Sequence, residues 1–73
     1  MTDNADREKL KTLLGYWISH NNEHGMEFSE WAEKTKVFAD PEVTDALLEA
    51  VAKMGETSVL LTQALQKLKD MEA

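Results

Sequence analysis

One heptad register runs through the first half of this chain without a slip: Leu10, Leu14, Trp17, Asn21, His24, Phe28, Trp31 and Thr35. Its steps alternate four and three, the spacing that keeps one stripe of a helix turned toward a partner helix. No other feature constrains the fold as tightly, because a long helix of this kind needs something packed along it. A second register follows at Val43, Leu47, Ala50, Met54, Ser58, Leu61, Leu65 and Leu68, with one extra residue inserted between Met54 and Ser58. Between the two registers lies the one strong punctuation, FADPEV, from Phe38 to Val43. Asp40 is a favoured N-cap residue, and Pro41 fits the first helical position, where its missing N–H costs nothing. Glu42 and Asp45 then complement the positive end of the helix dipole.

Folding the chain antiparallel at residues 37–40 pairs the two registers. Leu14 meets Leu65, Trp17 meets Leu61, Asn21 meets Ser58, His24 meets Met54 and Trp31 meets Leu47. Polar residues thus fall opposite a hydroxyl and a thioether. Gly and Pro, the residues of tight turns, are scarce and β-branched residues are thin, so strands are disfavoured and the sequence predicts one all-α domain over residues 1–73. Its form is an antiparallel helical hairpin with helices at about 4–36 and 41–71, its ends (1–5 and 71–73) frayed. The alternative is a three-helix bundle with a break near Gly25, a residue that costs ~1 kcal/mol inside a helix. Gly55 stands at nearly the same height on the second helix, so the two glycines mark either a close approach or a shared kink.

A chain of 73 residues rarely buries enough apolar surface for more than ~3–5 kcal/mol of stability, so it needs a staple. It contains no cysteine, which excludes disulfides, thiolate zinc sites and thiol catalysis. The remaining staples are a metal held by histidine and carboxylate, unusually good helix packing, or oligomerisation. Ala46, Leu48, Val51, Val59, Leu60 and Ala64, with Leu13, Tyr16 and Ile18 on the first helix, make an apolar stripe wider than one seam can cover. A two-fold homodimer of hairpins, closing into a four-helix bundle, is the simplest way to bury it.

The formal net charge of -6 argues against nucleic acid, whose phosphates demand a basic surface, and against an anionic membrane face. No apolar run approaches the ~18–20 residues of a membrane span. The N-terminus, MTDNADREKL, lacks the basic start and apolar stretch of a signal peptide. A cytoplasmic protein is the resulting expectation.

The candidate chemistry lies in HNNEHGME. His20 and His24 are one helical turn apart, the spacing that lets two imidazoles share one metal, and Glu23 and Glu27 follow them by three residues each. Imidazole with carboxylate suits a divalent transition metal such as Zn, Ni or Co. One hairpin gives only part of a shell, and a dimer could double it. The bland reading of the same residues is a polar layer that fixes helix register. HNNEH is not HExxH; it matches the inverted pattern HxxEH, but that site needs a substrate cleft too large for this chain. No phosphate-binding Gly-rich loop or Ser, His and Asp grouping is present, so the expectation is no enzyme. Trp17 and Trp31 read as packing residues, and Met26, Met54 and Met71 as core filling.

The segment LLGYWISHNNEHGMEFSEWAEK, Leu13 to Lys34, resembles short helical segments of prokaryotic proteins of unknown function that carry W-I-x-H-N-x-E-H followed by an aromatic and W-A. That resemblance implies a helical fold and brings no activity with it. The patch is also similar to hemerythrin-type di-iron bundles with helical His and Glu ligands. The chain departs from them in having two histidines, both on one helix. Two function classes remain: a small non-enzymatic metal binder using His20, His24, Glu23 and Glu27, or a metal-free interaction module that pairs with itself or another protein.

Overall fold

A computed structural model describes the backbone of residues 2–72 and the side chains of residues 4–72. Two helices make up the fold, α1 (Thr2–Phe38) and α2 (Pro41–Asp70). They lie antiparallel in a rod of 55 × 14 × 14 Å. At 1.5 Å of rise per residue, the 37 residues of α1 account for the whole of that length. The helix is unbroken through Gly25, and no glycine among the described residues has a positive φ. The three-helix alternative is therefore set aside. A methyl group added at Gly25 or at Gly55 would meet nothing within 4 Å, so the glycines mark neither a kink nor a close contact.

The turn is tighter than a fold across residues 37–40, leaving only Ala39 and Asp40 between the helices. The Ala39 N–H donates to the Thr35 carbonyl at 2.9 Å, closing α1. Asp40 holds the N-cap position of α2 with extended dihedrals, and Pro41 begins the helix. Its carboxylate makes no capping bond; the Asp40 carbonyl instead accepts from the Val43 N–H at 2.9 Å. At the open end Met71 and Glu72 form a turn. Glu72 is held there by Lys11, whose Nζ lies 2.8 Å from Oε1, so the expected fraying stops short of it. Of that expectation, Met1 and Ala73 fall outside the described residues.

The seam between the helices is polar at two levels. Thr35 and Thr44, both buried, share a hydrogen bond of 2.6 Å between their hydroxyls. Two heptads away, Asn21 Nδ2 donates to Ser58 Oγ at 2.8 Å and to the Met54 carbonyl at 2.7 Å. Fourteen residues separate Asn21 from Thr35, and fourteen separate Thr44 from Ser58, so one register holds along the rod. It pairs Asn21 with Ser58 and places Leu14 level with Leu65, as the sequence predicts.

Half of the predicted seam is displaced by one residue. The inner positions of α1 are Lys11, Leu14, Ile18, Asn21, Gly25, Phe28, Ala32 and Thr35, while Leu10, Trp17 and Trp31 are exposed and His24 sits at the margin. Small side chains explain the choice. Ala32 is 1% exposed beside a Trp31 left 53% exposed; alanine at the contact lets the axes approach, whereas indole would force them apart. On α2 the inner positions are Thr44, Leu47, Val51, Met54, Ser58, Leu61, Leu65 and Leu68. This heptad needs no inserted residue: Thr44 replaces Val43 because Thr35 requires a polar partner, and Val51 replaces Ala50.

Candidate functional site

The displaced register moves His24 out of the seam, and both histidines lie on a long side of the hairpin. His24 lies beside the seam, half-buried, and His20 is one turn away and exposed. Their rings meet edge to face at 4.4 Å between centroids. The two Nε2 atoms converge to 3.0 Å, a distance that an N–H···N bond satisfies when one ring donates and the other accepts. Tyr16 stacks on His20 at 5.3 Å, and Phe28 lies 6.2 Å from His24 on the other flank. The pair is thus held in a row of aromatic rings along α1.

The carboxylates part company. Glu27 Oε1 stands 3.5 Å from His24 Nδ1, behind the ring rather than beside Nε2. A carboxylate there favours a proton on Nδ1 and leaves a lone pair on Nε2. Glu23 sits on the outer side of α1, turned away from the seam, because one residue of helix is a rotation of ~100° from His24. Among the described residues no group of three or more His, Cys, Asp or Glu side chains is placed to hold a metal. A single hairpin therefore presents two convergent imidazoles, with one carboxylate behind them, in place of a four-ligand set.

The face around that pair is mainly apolar. Leu10, Trp17, His24, Trp31 and Phe38 recur every seven residues, and on α2 Val43, Ala50, Thr57 and Ala64 do the same. Helical periodicity sets both rows on one side of the rod, flanked by Leu13 and Leu60. Trp17 is 41% exposed and Phe38 69% exposed. Lys34 places its Nζ 4.4 Å over the Trp31 ring. The spacing of these rows was present in the sequence, but assigning their members to the seam hid it.

The opposite side carries a groove of 360 Å³ lined by Asn21, Asn22, Gly25, Met26, Ser29, Val51, Met54 and Gly55. Asn22 was not anticipated there. Its Oδ1 accepts from Ser58 Oγ at 2.6 Å, so both asparagines of HNNEH grip one serine. Adjacent asparagines beside a seam position are the signal that could have shown it.

No helix among the described residues is long and apolar enough to cross a membrane. Neither the curated proteins nor the solved structures include a match to the chain. A family model described as a domain of unknown function (DUF8180) matches residues 10–68. That span runs from the first residue of the apolar row on α1 to the last seam leucine of α2, and the chain belongs to this family.

Proposed function

We propose that the protein is a non-enzymatic self-association module, in which two hairpins pair through the Leu10–Trp17–His24–Trp31–Phe38 face to form a four-helix bundle. The observation that carries this reading is the surface the hairpin leaves uncovered. Its accessible area is 5592 Å², against roughly 4,600 Å² for a compact monomer of this mass. The radius of gyration is 16.6 Å, against about 11 Å for a globular domain of the same length. The excess of about 1,000 Å² is comparable to the ~800 Å² that each partner buries in a standard interface.

A second copy suits the face better than an unlike partner. The row on α1 is symmetric about His24: Trp17 and Trp31 lie seven residues to either side, Leu10 and Phe38 fourteen. A two-fold axis at the level of His24, perpendicular to the helices, brings Trp17 against Trp31 of the other copy and Leu10 against Phe38. Such self-complementarity is what an isologous interface requires. Light scattering at micromolar concentration tests the reading: it predicts twice the chain mass of 8.3 kDa. A stable single chain at every concentration, with and without added zinc, would refute it. Capture of an unlike partner by a monomeric hairpin would replace it with a hetero-association role.

The convergent imidazoles favour a second reading, binding of a divalent transition metal. His20 and His24 are the ligands it would use, with Glu27 orienting His24.

A further inference from the structure

We infer that the two readings are one: His20 and His24 from each of two copies bind a single divalent transition-metal ion on the two-fold axis of the dimer. The inference rests on the self-association proposed above. Its geometric basis is the pair of Nε2 atoms 3.0 Å apart. Two nitrogens each ~2.0–2.1 Å from a zinc ion at the tetrahedral angle lie roughly 3.3–3.4 Å apart, a spacing that a small rotation of either ring reaches. One hairpin fills two of the four positions, and the described residues supply no third ligand to it.

Position supplies the second argument. His24 is the centre of the symmetric row, so the axis that matches tryptophan to tryptophan also sets each His20–His24 pair within about one turn of its copy. That offset, about 6 Å for four residues at ~1.5 Å of rise, is closed by a slide of the copies along the rod and rotation of the rings. One ion then gains four neutral imidazoles, a donor set suited to zinc or cobalt. Pairing would also remove these rings from water in a mainly apolar contact, and polar atoms so buried need partners. A metal ion satisfies all four Nε2 lone pairs at once. Glu27, at 3.5 Å from His24 Nδ1, stands where an outer-sphere carboxylate fixes the tautomer and orientation of a liganding histidine.

Titration of the metal-free full chain with zinc in a calorimeter, and with cobalt followed by visible absorption, tests this. The expected result is one ion per two chains, with the intense visible bands of tetrahedral cobalt. His20→Ala and His24→Ala should each lower affinity by more than the roughly 10–100-fold that an outer-sphere change costs, and Glu27→Gln should fall within that range. His24→Gln, which keeps a polar side chain at the position, guards against loss of fold as the cause. Light scattering on the same samples separates the two proposals. A dimer that takes up no metal, or one ion per chain insensitive to the histidine variants, overturns the shared site and leaves the dimer standing. A chain that stays monomeric with and without zinc overturns both. Half an equivalent of zinc that converts monomer to dimer supports both.

Discussion

The two long sides of this hairpin are built from the same helices and do opposite things. On the groove side, Asn22, Ser29, Gly25 and Gly55 separate the apolar residues Met26 and Val51 around an open space of 360 Å³, and Ser58 Oγ accepts a hydrogen bond from Asn21 and donates one to Asn22. On the other side, large apolar and aromatic residues recur every heptad with small ones facing them. The groove side spends its polar groups within the hairpin and fixes its register. The aromatic side leaves unused what a seam would otherwise bury. Apolar residues alone do not distinguish the sides, since Leu48 and Val59 are exposed near the groove. Periodicity does: a row that recurs every heptad can be covered by a second row, and scattered residues cannot.

The largest effects should come from placing charge on one side and then the other. Trp31→Glu or Leu60→Glu puts a carboxylate into the proposed apolar contact and should weaken dimerisation about 100-fold or more. Met26→Glu and Val59→Glu on the groove side should leave the dimer mass unchanged. Sedimentation of the four variants makes the comparison, and equal effects from both sides would erase the distinction drawn here.

Next in size are the polar levels of the seam. Thr35→Val strands a buried Thr44 hydroxyl and should cost about 1–3 kcal/mol by denaturant unfolding, whereas the double variant Thr35→Val with Thr44→Val should recover most of it. Asn21→Ala removes the donor to Ser58 and Met54 and should destabilise by a similar amount. Gly25→Ala and Gly55→Ala should each stabilise by about 0.5–1 kcal/mol, since both glycines are helical and open. A loss of stability there would mean that the groove is filled in solution.

The smallest effect concerns the open end. Hydrogen bonds to Glu72 and then Glu8 raise the Lys11 pKa above its ordinary 10.5. A raised lysine pKa contributes stability that is fully present below the unfolded-state value and lost as pH rises through the folded-state value. Wild type and Glu72→Gln should therefore converge in melting temperature only in strongly alkaline solution. A difference that persists there would assign the effect to something other than this ammonium.

Much of this architecture is legible in the residues. Pro41 after Asp40 locates the turn, and Asn21 with Ser58 gives the register, because each reflects local chemistry with one good solution. Which of two adjacent residues enters the seam is less legible. Periodicity places both Trp31 and Ala32 near the partner helix, and size decides between them only once the axes are close. Choosing the larger residue hid the aromatic row and put His24 opposite Met54. The inserted residue in the second register came from the same cause, because Val43 looks more like a seam residue than Thr44 until Thr35 is seen to need it. For the histidines, the one-turn spacing correctly brings the rings together. The carboxylates three residues on look equivalent in sequence, yet helix rotation turns Glu23 outward and sets Glu27 behind His24.

The central claim is that the aromatic side, and not the groove side, meets a second copy. Because the chain has no cysteine, single spin labels can be placed at Thr57→Cys on the aromatic side and at Thr62→Cys on the groove side. Pulsed dipolar spectroscopy then reads the distance between copies. Helices facing one another across the bundle lie about 8–10 Å apart, and helix diameters of about 10–12 Å separate the outer surfaces further. The account predicts a short intermolecular distance for the label at residue 57 and a clearly longer one for the label at residue 62. A shorter distance at residue 62, or no intermolecular coupling at either site, would contradict it.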